Sequence, residues 1–180
     1  MLKYHKKTEK GFTLIELLVV ISIIGLLSSI ILSSLNGARL RGRIAKRLSD
    51  MHQVQIALEL YYSANGSYPN SATWRSQCPT WGSFSASNVI PGLVPTYLPS
   101  FPSDPMMVIA SDLSCYIYRS DGTDYVFLDH NVPELEGSAP NYASYSVFVD
   151  PTRDGGSNAC TVDGASFWSW KVSSPGGACW

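Results

Sequence analysis

Hydrophobic positions run almost unbroken from residue 12 to residue 35, then thin to a spacing of three or four, and past residue 112 alternate in short runs. Each regime predicts a different element. As a helix, the 24 residues of the first run extend about 36 Å at 1.5 Å per residue, enough to cross a hydrocarbon layer of about 30 Å with some tilt. Ile44, Leu48, Met51, Val54, Leu58 and Tyr61 then fall on one face, with Asp50, His52, Gln53 and Glu59 between them. That spacing predicts an amphipathic continuation of the helix over 36–66, its apolar stripe packed on a sheet. Asn65-Gly66 offers a left-handed cap, and Pro69 blocks resumption.

Residues 67–112 read as a Pro- and Ser-rich connection, because Pro91, Pro95, Pro99, Pro102 and Pro105 preclude long regular elements. Residues 115–119 and 123–128, rich in β-branched and aromatic side chains and joined through Ser120-Asp121-Gly122, predict a β-hairpin. Residues 143–149 predict another strand and 166–172 a weaker fourth. The fold class is therefore α+β: a long amino-terminal helix, membrane-spanning in its first half, with its second half laid on an antiparallel sheet within 113–180.

Charge changes the picture. Residues 1–48 carry nine Lys/Arg against two Glu, a net +7, whereas residues 49–180 carry four against twelve, a net −8. An acidic body is a poor nucleic-acid surface, since phosphate contacts need clustered Lys/Arg. Basic residues flank the apolar run on both sides, so loop charge does not orient it. The four cysteines, Cys78, Cys115, Cys160 and Cys179, all lie in the body, which points to disulfides in an oxidising compartment and hence to a body outside the cytoplasm. Four cysteines allow three pairings; Cys160 with Cys179 would staple the carboxy-terminal loop, and Cys78 with Cys115 would pin the connection.

Within the span, Glu16 is the one carboxylate. A charge at a helix centre costs about 2.5–3.5 kcal/mol on insertion scales, so it needs a partner or a route to the headgroups. Gly25, Ser29, Ser33 and Gly37 recur every four residues along one ridge, a spacing that lets helix backbones approach closely in a membrane.

The segment Lys10-Gly11-Phe12-Thr13-Leu14-Ile15-Glu16-Leu17-Leu18-Val19-Val20-Ile21 resembles the processing and methylation signal of the type IV pilin and type II secretion pseudopilin superfamily. The resemblance implies a leader over 1–11, cleavage between Gly11 and Phe12 by a prepilin peptidase, and methylation of the new Phe12 amine. It implies a span that becomes the core of a helical filament, with Glu16 meeting a neighbour's amine. Ser33 stands where many type IV pilins carry proline, so a proline break is not implied here. The segments 61–69 and 98–105 resemble the end of the long helix and the loop leading to the sheet in that superfamily. Its major pseudopilins bind calcium in a late loop; Asp150, Asp154 and Asp163 are the matching carboxylates, although Asp154-Gly155-Gly156-Ser157-Asn158 is equally ordinary turn chemistry.

Nothing in the sequence carries catalysis: His5, His52 and His130 stand apart, without metal-ligand spacing or a nucleophile elbow. Trp74, Trp81, Trp168, Trp170 and Trp180 are too scattered to define a patch. The expected protein is a pilus-like filament subunit of the inner membrane, single-pass with its body outside, later moved into an extracellular or periplasmic filament. Its expected partners are the prepilin peptidase, identical or related subunits, the pilus or type II secretion assembly machinery, and membrane lipid before assembly; no cofactor beyond the calcium is implied. The alternatives are a type II secretion pseudopilin and a membrane-anchored binding domain that never polymerises. The two expected disulfides and the loose fit of the calcium loop tip the sequence reading toward the pilus.

Overall fold

A computed structural model describes residues 11–109, 114–132, 148–164 and 169–180. The first element, α1, is a 52-residue helix over Leu14–Asn65. The chain divides into two compact units that meet in sequence at Arg41 and Gly42.

In the first unit the helix turns large apolar side chains outward from Leu14 to Leu35. Its most apolar stretch has a mean hydropathy of 2.7 and buries none of its surface within the chain. The serines do not disturb that surface. Ser22 and Ser28 donate to the carbonyls of Leu18 and Ile24 at 2.7 Å, and Ser29 donates to that of Leu26 at 2.8 Å. Hydroxyls satisfied by their own helix can enter hydrocarbon without an unpaired donor.

The second unit begins where the pattern thins. Ile44, Met51, Val54, Ala57 and Leu58 are buried, as their spacing requires. Leu48 and Tyr61 are only half-buried, and Arg47 and Asp50 occupy the buried face beside the apolar stripe. The helix ends at Gly66, whose φ of 74° is left-handed and whose N–H donates to Tyr62 O at 2.8 Å.

The sheet has five strands: β1 (Arg75–Ser76), β2 (Ser83–Phe84), β3 (Cys115–Ser120), β4 (Tyr125–His130) and β5 (Trp170–Ser173), in the order β2-β1-β3-β4-β5. β3 and β4 form the expected hairpin, in register with Ile117 opposite Leu128. β5 joins antiparallel to β4, with Asp129 opposite Trp170. β1 pairs antiparallel with β3 but parallel with β2, so the sheet is mostly rather than wholly antiparallel. These two short strands lie inside the connection. Of the expected strand over 143–149, residues 143–147 lie outside the described residues; Val149 makes a single antiparallel bridge to Trp170. Residues 165–168 also lie outside them, and the fourth expected strand is seen as β5.

Alternation along β3 and β4 sorts side chains between the two faces of the sheet. Tyr116, Tyr118, Tyr125, Phe127 and Asp129 take one face, where Tyr116 Oη donates to Asp50 of α1 at 2.9 Å. Cys115, Ile117, Val126 and Leu128 take the other and pack with Cys78, Trp74 and Trp180.

Candidate functional site

The helix begins at a reciprocal cap that residues Thr13 and Glu16 build between them. The Glu16 carboxylate accepts from the Thr13 backbone N–H at 2.8 Å and from its hydroxyl at 2.6 Å. In return Thr13 Oγ1 accepts from the Glu16 N–H at 3.3 Å. This is a capping box, which satisfies donors that the first turn of a helix leaves open. The sequence reading missed it, although Thr13-Leu14-Ile15-Glu16 has the required spacing. Glu16 therefore has a partner in the isolated chain, which supplies no positive charge.

Gly11 and Phe12 precede the helix and are exposed, Phe12 by 75 %. The Gly11–Phe12 bond thus lies outside helical structure. Phe12, Ile15, Val19 and Val20 line a shallow groove that also contains Glu16, so the carboxylate stands on an apolar surface one turn from the candidate cleavage point. On the ridge of small residues, a side chain at Gly25 would meet nothing within 4 Å, and one at Gly37 would approach only the Arg41 guanidinium, at 3.9 Å. The ridge is open at both glycines. Of the Ser33 side chain nothing is described.

In the body, disulfides join Cys78 to Cys115 and Cys160 to Cys179, with Cα separations of 5.9 and 4.5 Å. The first ties the connection to β3. The second closes a 19-residue loop around β5.

Of the three candidate calcium carboxylates, Asp154 and Asp163 meet around Gly156, and Asp150 is engaged elsewhere. Asp150 caps the short 3₁₀ turn Pro151–Arg153, accepting from Thr152 N–H at 3.0 Å, and pairs with Arg153 at 2.7 Å and Lys171 at 3.1 Å. Asp154 accepts from the N–H groups of Gly156, Asp163 and Gly164 at 2.8–3.0 Å. Asp163 accepts from Ser157 Oγ at 2.9 Å and from Ser157 N–H at 3.1 Å. The Ser157 hydroxyl, with the Asn158 and Ser157 N–H groups, holds its carboxyl below the usual range. A side chain at Gly156 would collide with Asp163 Oδ1 at 1.8 Å, so glycine is required for this closure. Among the described residues no group of three or more His, Cys, Asp or Glu is arranged to hold a metal ion. In this loop the carboxylates of Asp150, Asp154 and Asp163 accept from amide, hydroxyl and cationic donors of the chain itself.

His130 is buried, with Nδ1 3.3 Å from Ser169 Oγ and its ring against Trp81. Asp129 lies on the opposite face of β4, so this serine and histidine have no carboxylate from that neighbour to orient them. The Arg119 guanidinium lies 5.6 Å from the ring centre of Trp74 and 4.9 Å from that of Trp180, so two of the tryptophans close the sheet face instead of forming an adhesive patch.

Known proteins resemble part of this chain. A family profile described as the prokaryotic N-terminal methylation motif matches residues 6–32. The type II secretion system core protein G of Aeromonas hydrophila is 36 % identical over 67 residues, which are 37 % of this chain and 47 % of that protein. The protein of the same name from Escherichia coli is 38 % identical over 63 residues, 35 % of this chain and 43 % of its own. The type IV major fimbrial protein FimA of Dichelobacter nodosus is 37 % identical over 54 residues, 30 % of this chain and 35 % of its own. The chain spans about half the length of the curated relatives that head this set. No solved structure matches.

Proposed function

We propose that this chain is a structural subunit of a type II secretion pseudopilus, made as a membrane precursor and polymerised through its apolar helix. The observation that carries this reading is a single carboxylate on an exposed apolar helix, one turn beyond an exposed Gly11–Phe12 bond inside a methylation motif. Cleavage there exposes an α-amine with a reference pKa near 8, a cation at neutral pH. Before docking, Glu16 is held by Thr13. On docking, the amine of one subunit meets Glu16 of its neighbour inside the apolar bundle, and the small ridge at Gly25, Ser29 and Ser33 lets the helices close. A subunit out of register would leave one charge unpaired, at about 3–5 kcal/mol.

The secretion reading replaces the pilus as the leading one because several relatives of similar identity are secretion core proteins. The disulfides and the late loop, which favoured the pilus in the sequence, do not separate the two. The fimbrial likeness supports the type IV pilus as the second reading. A deletion strain distinguishes them: loss of protein export with surface pili intact supports the pseudopilus, whereas lost pili with normal export overturns it in favour of the pilus. If both persist, the chain is a membrane-anchored domain.

A further inference from the structure

Among the described residues, three buried aspartates, Asp50, Asp104 and Asp129, meet on the face of the body that holds Arg47. Arg47 of α1 is wholly buried; its Nε donates to Asp104 Oδ2 and its Nη2 donates to Asp104 Oδ1 at 3.2 Å. Asp104 Oδ1 also accepts from the Met106 N–H at 2.6 Å. Asp50 is held separately by Lys46 at 2.5 Å and by Tyr116. Asp129 of β4 is different. It is 0 % exposed, neither carboxylate oxygen has a hydrogen-bond donor among the described residues, and its ionic contact is the same Arg47 Nε at 3.3 Å. A buried anion without a donor is among the least stable arrangements a protein can hold.

We propose that Asp104 and Asp129 hold one proton between them, and that this proton makes the join of helix, connection and sheet a latch that tightens in acid and loosens as the pH rises. Asp104 and Asp129 converge on the same Arg47 Nε, so a protonated Asp129 donates its O–H to the neighbouring Asp104 carboxylate, which keeps its pairing with Arg47. The surroundings agree. Burial, and next the Asp104 charge, push the Asp129 carboxyl well above the usual carboxylate range, against the pull of Arg47. Among the described residues the groups facing this point are Arg47, Asp50 and Lys46 from α1, with Arg43 half-buried one turn earlier, Asp104 from the connection and Tyr116 from β3. β5 places the uncharged Trp170 opposite Asp129, while its Lys171 turns to the other face and pairs with Asp150.

The sign follows from where the proton sits. An aspartate in the unfolded chain releases it near pH 3.9, whereas the folded body keeps it to a higher pH. Folding therefore binds a proton, and stability falls as pH climbs from the ordinary aspartate range through the raised folded value, about tenfold per unit in the folding equilibrium. The test uses the full chain in detergent micelles, with unfolding followed by near-ultraviolet circular dichroism across about pH 5 to 8. The wild type is expected to lose stability toward alkali with that slope, and Asp129→Asn, which keeps a donor but cannot ionise, to remove it. Equal slopes in the two proteins overturn the proposal. A second measurement stands apart from whether the variant folds: the wild type should show a deuterium-sensitive carboxylic-acid C=O band in the infrared that persists above the ordinary aspartate range and fades over the same pH interval as the stability, and its absence there overturns the proposal as well.

Discussion

One helix carries charge in two opposite settings. In the first unit Glu16 stands on a surface of exposed Leu, Ile and Val; in the second, Arg47 and Asp50 lie beneath such residues, against the sheet. The body satisfies most of its charges from within the chain, with Asp104 reaching Arg47 across 57 residues of sequence. Among the described residues the span offers Glu16 Thr13, three residues away, which supplies hydrogen bonds but no counter-charge. A buried charge in the body is thus an internal matter of folding, whereas the charge on the span meets no cation among the described residues.

The contrast is broken most completely at Glu16. Glu16→Val is expected to leave membrane insertion intact while filament yield collapses, because each docking event would leave a methylated amine unpaired at about 3–5 kcal/mol. Comparing membrane and sheared fractions by immunoblot checks it, and normal yield would remove the pairing argument. The matching change in the body, Arg47→Met, strips the cation from buried Asp104 and Asp129 and should also cost about 3–5 kcal/mol. Here the loss appears as a lower midpoint of urea unfolding.

Removing the Cys160–Cys179 disulfide with paired serines should cost about 3 kcal/mol, as expected for a short closed loop. The cost should fall on unfolding of the body and leave the span unchanged. Thr13→Ala removes the helix cap, worth about 0.5–2 kcal/mol, and frees the Glu16 carboxylate before docking. It should therefore weaken assembly far less than loss of Glu16 itself, by densitometry of the same fractions. The smallest effect is expected from metal removal: chelation should leave the thermal midpoint unchanged, since Asp154 and Asp163 are bonded to N–H donors. A saturable rise in the midpoint on adding calcium would contradict that.

What the sequence made legible follows from the range of the forces involved. The 52-residue helix was readable because length and a three-to-four spacing are local properties, and its end at Gly66 because a left-handed residue has few candidates. The hairpin was readable because alternation of period two is local as well. β1 and β2 were not, because two residues have no period; they exist only because β3 offers an edge. Arg47 looked like one more member of a basic run, and Asp50 like the solvent side of an amphipathic helix. Their burial is set by Asp104, Tyr116 and Asp129, residues that meet them only after folding. The Thr13–Glu16 cap could have been read from its spacing, but the apolar run around it drew attention to the membrane and away from the first turn.

The account depends on the partner of Glu16 being an amine that the precursor lacks. Mass spectrometry of the chain recovered from sheared filaments tests this most directly. It should begin at Phe12 and carry one methyl group on the terminal nitrogen. Recovery from working filaments of chains that still begin at Met1 would contradict it.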